Sequence, residues 1–290
     1  MTILITAVSG HYGRLVVDAL LERGANPADL VATARDTSKI ADLAERGIRT
    51  AVLDYDRPET IAAALDGVDR VLLVSGSEPG ARLAGHRNVI DAAVAAGVEL
   101  LAYTSISKAD TAVDFPLVAD HLATEQAIAA SGLPAVILRN DWYTENYTAD
   151  VSRAAESGVV ASSTGDGRVA SATRADYADA AAVVLLGDGH AGQVYELGGD
   201  TAWSYDELAA AASELLGREV TRVRLTTAEH VAALESAGLD AGTAAFVAGL
   251  DDAIRRGSLE FTDGTLSRLI GRPTTSLADG LRAAVAVAAA

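Results

Sequence analysis

The stretch TILITAVSGHYG, residues 2–13, decides the fold class of this chain. A short run of aliphatic and β-branched residues, typical of a strand buried on both faces, leads through small residues into an amphipathic helical pattern. The small residues have the spacing G-x-x-G-x-x-G, with Ala7 in the first place. Such a turn lets the backbone approach a diphosphate, and amides of the following helix donate to it. The stretch predicts a phosphate-binding turn. Ala7 departs from the glycine pattern and is tolerable there only if its backbone does not need a positive φ, which favours glycine.

Strand and helix patterns alternate regularly up to about residue 140. The strand-like runs are residues 2–6, 30–34, 49–53, 70–74, 98–104 and 135–139, and helical patterns cover residues 12–23, 38–46, 58–65, 82–96 and 118–130. Glycine follows the last turn of several of these helices, as is common at helix ends. The alternation predicts an α/β fold, a Rossmann-type doubly wound parallel sheet with helices on both faces.

The pattern loosens after residue 145. Strand-like runs at residues 159–161, 168–170, 194–197 and 220–224 lie among helices, and Gly165-Asp-Gly167 predicts a tight turn between two strands. From about residue 206 the chain is mainly helical in pattern. We expect a dinucleotide-binding domain at residues 1–145, to which later segments return. We expect residues 146–290 to form a smaller C-terminal α/β region, mainly helical, that serves as a substrate or lid region.

The end of the second predicted strand indicates which dinucleotide binds. NAD-specific folds usually place an acidic residue there for the ribose 2′-hydroxyl, whereas this strand ends at Arg35, and Lys39 follows one turn later. A guanidinium with a second cation suits a 2′-phosphate, so the sequence predicts NADPH. The alternatives are that Arg35 and Lys39 begin a solvated helix, or that Asp36 pairs with Lys39.

Composition excludes several classes of function. The net charge is −17 and the chain has no cysteine, which argues against a general nucleic-acid surface and excludes disulfides and thiolate metal sites. The five histidines show no metal-ligand spacing, so no metal is expected. The N-terminus has no signal-peptide pattern and no apolar run is long enough to span a membrane. We expect a cytoplasmic protein that binds neither membrane nor nucleic acid.

Several longer strings carry a family resemblance. The chain resembles the NmrA-like branch of the atypical short-chain dehydrogenase/reductase family, and within it the bacterial type 2 NAD(P)H:quinone oxidoreductases. The most specific strings are LRNDWYTENY at residues 138–147 and SATRADY at residues 171–177, and further matching segments are residues 34–35, 54–55, 74–78, 86–90, 102–105 and 269–274.

This resemblance implies a set of cofactor contacts. The pyrophosphate would bind to the first turn, and Arg35 would contact the 2′-phosphate. Asp54 and Tyr55 would lie near the adenine, and residues that follow the fourth and sixth strands would line the nicotinamide end. The resemblance and the motifs together predict the residues that bind the cofactor. They are Ala7, Val8, Ser9, Gly10, His11, Tyr12, Gly13, Arg35, Lys39, Asp54, Tyr55, Ser75, Gly76, Ser77, Asn140, Asp141, Trp142, Tyr143, Thr144, Glu145 and Arg174.

The catalytic residues of the wider family are not all present. Its members reduce carbonyls with a Tyr-x-x-x-Lys pair, but here His121 stands at the lysine position and Leu117 at the tyrosine position. A quinone acceptor fits this gap, because water can protonate the hydroquinone and the site then needs positioning more than a strong acid. We expect Asn140 to donate to a quinone oxygen and Tyr143 to supply a proton or form a wall. His121 either touches the ribose or is a surface histidine.

Three functions remain open from the sequence. The first is NADPH-dependent reduction of a quinone or a similar flat electrophile. The second is a dinucleotide-binding redox sensor without turnover, because loss of the Tyr-x-x-x-Lys pair suits a sensor equally well. The third is a carbonyl or imine reductase of a biosynthetic pathway. A homodimer is compatible with each of them.

Overall fold

The computed structural model describes residues 1–76, 78, 80–111, 115 and 117–288. Its contacts divide the chain into two compact units. The first comprises Met1–Asp110, Leu117–Asn140 and Arg174–Leu197, and the second comprises Thr111–Pro116, Asp141–Thr173 and Gly198–Ala290. A late segment thus returns to the first unit, while the functional boundary at residue 145 stays a prediction.

The first unit is built on a parallel sheet. Within the described residues it has seven strands, in the order β3-β2-β1-β4-β5-β6-β9, and every neighbouring pair is parallel. Its strands are β1 (Ile3–Ile5), β2 (Leu30–Ala34), β3 (Arg49–Val52), β4 (Arg70–Leu73), β5 (Leu100–Ile106), β6 (Ala135–Asn140) and β9 (Val194–Leu197). The strand order reverses direction between β1 and β4, which confirms the predicted doubly wound Rossmann-type sheet.

Helices connect these strands along the chain. They are α1 (His11–Glu22), α2 (Ala41–Glu45), α3 (Pro58–Ala64), α4 (Arg82–Ala96), α5 (Val118–Ser131) and α7 (Arg174–Leu186). Glycines in the left-handed conformation end α4 at Gly97 and α5 at Gly132, as their positions predicted. The predicted helix at residues 38–46 is instead a 3₁₀ turn, Thr37–Ile40, followed by the short α2, because Asp36 caps the 3₁₀ turn through the Ser38 amide.

The second unit contains two small two-stranded sheets. Its elements are α6 (Thr148–Ser157), β7 (Val159–Ser162), β8 (Arg168–Val169), β10 (Trp203–Ser204), α8 (Tyr205–Leu216), β11 (Thr221–Arg224), α9 (Thr227–Ser236), α10 (Ala241–Arg255), α11 (Thr265–Ile270) and α12 (Leu277–Ala288). The chain does turn at Gly165-Asp-Gly167, where the Gly167 amide donates to the Thr164 carbonyl at 3.0 Å. The strands on either side are not partners, however: β7 pairs with β11 in parallel and β8 pairs with β10. The predicted turn between two strands is therefore present, but it does not join a hairpin.

None of the helices in the described residues has the length and apolar character needed to cross a membrane.

Candidate functional site

A cavity of about 400 Å³ lies in the first unit at the carboxyl ends of four adjacent strands. Residues 7–13 follow β1, Arg35 follows β2, Leu53 to Asp56 follow β3, and Val74 to Gly76 follow β4. The cavity therefore spans the point between β1 and β4 where the strand order reverses. Parallel α/β sheets bind their ligands at this point.

Twelve residues predicted to bind the cofactor line this cavity. They are Ala7, Ser9, Gly10, His11, Tyr12, Gly13, Arg35, Asp54, Tyr55, Ser75, Gly76 and Arg174. Val8 is buried instead, with its amide donating to the Thr33 carbonyl at 2.8 Å, and Lys39 is an exposed residue outside the lining. Ser77 lies outside the described residues. The lining also includes residues that the motifs did not indicate: Leu53, Asp56, Val74, Glu78, Ala81, Arg82 and Gly85.

The first turn is held tightly against the end of β1. The Gly10 amide donates to the Ala7 carbonyl at 3.0 Å, and α1 begins at His11 with no side-chain cap and no acidic residue in its first turn. A Cβ atom on Gly13 would lie 2.8 Å from the Ala7 carbonyl oxygen, so only glycine lets the helix start this close to the strand. A helix start of this kind attracts anions.

Ala7 has a φ of 54°, in the left-handed region, so the condition for tolerating alanine at this position without strain is not met. The turn from β1 into α1 imposes this conformation on whichever residue occupies the position. For alanine it costs about 1–2 kcal/mol relative to an ordinary helical conformation.

We expect Ala7→Gly to raise the free energy of unfolding by about 0.5–1 kcal/mol. Relief of the left-handed strain outweighs the extra entropy that glycine gains in the unfolded chain. Urea unfolding at neutral pH measures the difference, with Ala25→Gly, in a loop, as the control. A destabilised Ala7→Gly protein would show that the left-handed turn is not adopted in solution.

The residues after β2 separate the cation at the cavity from its acidic neighbour. Arg35 lines the cavity, whereas Asp36 accepts the Ser38 amide at 3.0 Å and the Ser38 hydroxyl at 2.7 Å. These two hydrogen bonds lower the pKa of Asp36, with a smaller contribution from the charge of Lys39. Among the described ion pairs none joins Asp36 to Lys39, so the carboxylate is engaged with its own turn and leaves Arg35 directed at the cavity.

Tyr55 ties together the strand ends at the floor of the cavity. Its hydroxyl donates to the Val74 carbonyl at 2.6 Å and meets the Thr6 hydroxyl at 2.6 Å, while the Val74 amide donates to Thr6 Oγ1 at 2.9 Å. Helix α4 packs directly on this residue, since a Cβ atom on Gly85 would lie 2.8 Å from Tyr55 Cβ. The contacts fix the relative positions of β1, β4 and α4 around the site.

Two buried histidines lie behind the cavity. The Gly76 amide donates to His86 Nε2 at 3.0 Å, and the other ring nitrogen of His86 lies 2.9 Å from Thr124 Oγ1. His121 is also buried, with Arg82 at 2.9 Å from Nε2 and the Tyr103 hydroxyl at 2.9 Å from Nδ1. The structure therefore excludes the surface alternative for His121. It also places the ring behind Arg82, outside the cavity lining.

Both imidazoles are neutral at ordinary pH. Burial, followed by the charge of Arg82, lowers the pKa of His86 to about 4 and that of His121 to about 3. Folding therefore opposes protonation of both rings, and the unfolded chain binds more protons below the unperturbed histidine pKa of about 6.5.

This proton linkage predicts a loss of stability in mild acid. The two rings contribute stability that is fully present above pH 6.5, and we expect roughly 2 kcal/mol per histidine to be lost between pH 6.5 and 4.5. Urea unfolding at the two pH values measures the loss. The variants His86→Asn and His121→Gln should each be less sensitive to acid than the parent. A pH dependence unchanged by both substitutions would contradict the neutral buried state.

The predicted residues after β6 occupy buried or half-buried positions. Asn140 ends β6, two strands from β4 in the sheet of the first unit, and is 2% exposed. In the second unit, Trp142 packs edge-on against Phe115, Tyr143 forms a bridge with Ala172, and the Thr144 hydroxyl lies 2.9 Å from Ser171 Oγ. Asp141 is buried and Glu145 half-buried. The cofactor and substrate roles of these residues stay predictions.

A second group of polar side chains, which no sequence motif indicated, is buried in the second unit. Ser163 Oγ and Asp251 Oδ2 lie 3.1 and 3.0 Å from the same nitrogen of His230, Nδ1. A nucleophilic triad needs the imidazole to bridge serine and carboxylate through its two different nitrogens. This geometry does not provide that bridge. Asp251 instead accepts the Ser163 amide at 2.7 Å and so fixes the chain after β7.

Known proteins that are similar to this chain bind the type of cofactor that the site predicts. A family profile described as NAD(P)H-binding matches residues 8–187, which contain all of the phosphate turn except Ala7 and most of the cavity lining. The chain belongs to this NAD(P)H-binding family. It is 44% identical over 279 residues to quinone oxidoreductase 2 of Escherichia coli strain K12, covering 96% of this chain and 97% of that protein. The NmrA-like resemblance found in the sequence is thereby confirmed.

Solved structures of the family have the same fold. The crystal structure of an NADPH-dependent quinone oxidoreductase from Escherichia coli complexed with NADPH superposes with a TM-score of 0.92, at 44% identity, covering 97% of this chain and 98% of that one. The Citrobacter sp. triphenylmethane reductase complexed with NADP(H) superposes with a TM-score of 0.91, at 34% identity, covering 98% and 100%. The proteins similar to this chain therefore include a quinone oxidoreductase and a triphenylmethane reductase.

Proposed function

We propose that this chain is an NADPH-dependent oxidoreductase that reduces a quinone or a similar flat electrophile. The observation that carries the proposal is the cavity at the strand reversal, with a phosphate turn on β1 and Arg35 at the end of β2. The 44% identity to a quinone oxidoreductase over nearly the whole chain supports the choice of acceptor. A cytoplasmic location stays part of the proposal.

The residues present fit the dinucleotide. At the diphosphate, glycine at position 10 leaves open space that a side chain would restrict, since its Cβ would lie 3.3 Å from the Ala7 carbonyl. At the adenosine end, Arg35 lines the cavity at the tip of β2 and offers a guanidinium to a 2′-phosphate. Beside Gly76, Arg82 adds a further cation to the cavity lining. Each feature matches an oxygen-rich, anionic ligand.

When bound, NADPH supplies the hydride that converts a quinone to a hydroquinone. The residues of the chain then contribute by holding the cofactor and the acceptor in position. Ser75 and Gly76, at the end of β4, line the part of the cavity that we assign to the nicotinamide ribose. The side-chain amide of Asn140, at the end of β6, is our proposed donor to a quinone oxygen, which gains negative charge during reduction. The proposed role of Tyr143 is the one predicted from the sequence: it either donates a proton or forms a wall of the substrate site.

His121 is an unsuitable proton donor in this scheme. Both of its ring nitrogens already have hydrogen-bond partners, and burial lowers its pKa to about 3, so the ring carries no additional proton near neutrality. Leu117 at the tyrosine position supplies no acid either. The missing acid argues against a carbonyl reductase more than against a quinone reductase, since a hydroquinone anion can be protonated by water.

The proposal is tested by comparing acceptors. The oxidation of NADPH is followed at the near-ultraviolet band of the reduced nicotinamide, with a benzoquinone, a triphenylmethane dye and an aliphatic ketone in parallel. We expect turnover with the quinone, slower or no turnover with the dye, and none with the ketone. Tight NADPH binding with no turnover on any acceptor would favour the sensor alternative, which the absent Tyr-x-x-x-Lys pair also suits.

A further inference from the structure

Arg82, the first residue of α4, connects the cavity with the buried His121. Its side chain lines the cavity, and its Nη1 donates to His121 Nε2 at 2.9 Å. The Nε atom of the same guanidinium is buried and has no hydrogen-bond partner within the described residues. An unsatisfied buried donor is costly, so the guanidinium has hydrogen-bonding capacity that the described residues do not use.

The hydrogen bonds around His121 determine its tautomer. A guanidinium can only donate, so Nε2 of His121 must accept, and the ring proton is on Nδ1, which faces the Tyr103 hydroxyl at 2.9 Å. The ring is held on one side by β5 through Tyr103 and presents a lone pair to Arg82 on the other. Arg82 is thereby fixed at its Nη1, and the same residue lines the cavity.

His86 holds the neighbouring backbone in the same way. Its Nε2 accepts the Gly76 amide, and its Nδ1 proton is directed at Thr124 Oγ1, which itself donates to the Asp120 carbonyl at 2.8 Å. The Gly76 backbone lies against Arg82, because a Cβ there would be 3.6 Å from Arg82 Cγ. The two neutral histidines thus hold the end of β4 and the start of α4 in fixed positions relative to each other.

We propose that Arg82 binds an oxygen of the dinucleotide in the part that NADPH and NADH share, and that His121 is the positioning residue that orients it. The inference rests on the dinucleotide site proposed above. Arg82 follows β4, on the opposite side of β1 from Arg35, so its contact is to the diphosphate or the nicotinamide ribose and not to the 2′-phosphate. The cation that a lysine supplies in the family pattern comes here from α4, and the residue at the lysine position holds it in place.

The first arm of the test measures binding alone. Nicotinamide fluorescence is titrated with NADPH and with NADH for the parent and for Arg82→Met. We expect both affinities to fall by about tenfold to a hundredfold and by the same factor, as for a lost charge-assisted hydrogen bond in the shared part. Arg87→Met is the matched control, since Arg87 is an exposed arginine on the same helix outside the cavity lining. Unchanged affinity for both cofactors in Arg82→Met would overturn the proposal.

The second arm tests the role of His121. His121→Leu removes the acceptor of Arg82, whereas His121→Gln retains a carbonyl acceptor for Arg82 and a donor for Tyr103. We expect the leucine variant to lose affinity and the glutamine variant to recover most of it. The double variant Arg82→Met/His121→Leu should bind no more weakly than Arg82→Met alone, because His121 acts only through Arg82.

Additive losses in the double variant would overturn the positioning role. Urea unfolding of each variant identifies any loss of fold. If His121→Leu does not fold, the comparison of Arg82→Met with Arg87→Met and the affinity of His121→Gln decide whether the proposal holds. Binding needs no turnover. Weakened cofactor binding in Arg82→Met combined with no quinone reduction by the parent would therefore support this inference and reject the proposed activity.

Discussion

Gly10→Val is expected to lower the affinity for NADPH at least a hundredfold while the protein remains folded. Gly10 precedes α1 with a φ of −89° and a ψ of 161°, an extended conformation that valine adopts readily. A Cβ there already lies 3.3 Å from the Ala7 carbonyl oxygen, and the two methyl groups of valine would occupy the space from which a diphosphate reaches the helix amides. Losing two charge-assisted hydrogen bonds costs about 3 kcal/mol or more, a factor of at least about a hundred in affinity.

Isothermal calorimetry with NADPH measures this effect, and thermal unfolding without cofactor confirms the fold. Gly10→Ala is the graded control, because a single methyl group restricts the space without filling it, and we expect a smaller loss. NADPH binding by Gly10→Val with the parent's affinity would show that the turn after β1 does not hold the diphosphate.

Arg35→Ala is expected to weaken NADPH binding more than tenfold and to leave NADH binding nearly unchanged. The 2′-phosphate is the only group that distinguishes the two cofactors, and Arg35 is the cavity-lining residue at the tip of β2, where this group is recognised. A hydrogen bond to a charged group contributes about 1.5–3 kcal/mol, and its loss falls entirely on NADPH. The measurement is the ratio of the two dissociation constants at one fixed ionic strength.

Lys39→Ala provides the comparison for Arg35→Ala. Lys39 was predicted as a second cation for the 2′-phosphate, but it is exposed and lies outside the cavity lining. We expect its loss to change the cofactor ratio much less. Equal weakening of NADPH and NADH by Arg35→Ala would place the guanidinium on the shared part of the dinucleotide and remove the basis for NADPH specificity.

Local patterns were sufficient for the parts of the site that a single segment determines. The strand, turn and helix at residues 2–23 are adjacent in sequence, and the apolar run and the glycine spacing specify them together. Arg35 was equally accessible, because parallel strand ends form the ligand edge in any doubly wound sheet. The rule that residues just after β3 and β4 line the site could also have indicated Leu53 and Val74.

Features that depend on distant residues were not predictable in this way. Arg82, a residue of the cavity lining, is hydrogen-bonded to His121, 39 residues further along the chain, and no motif connects the two. The turn at residues 165–167 gave a correct local signal, but β7 pairs with β11, some 60 residues away, because pairing is decided by how the unit packs. Ala7 shows a third case: the turn overrides the preference of alanine, at a cost that the rest of the fold sustains.

The most direct measurement of the proposed function is a single turnover without oxygen. The protein is first loaded with one equivalent of NADPH and then mixed rapidly with excess benzoquinone. The absorbance of the reduced nicotinamide is recorded with time, and a mixture without protein is the control. The proposed function predicts complete oxidation of the bound cofactor, far faster than in the protein-free mixture, with one hydroquinone formed per NADPH. Bound NADPH that is oxidised no faster than the same cofactor in solution would contradict it and leave a dinucleotide-binding protein without reductase activity.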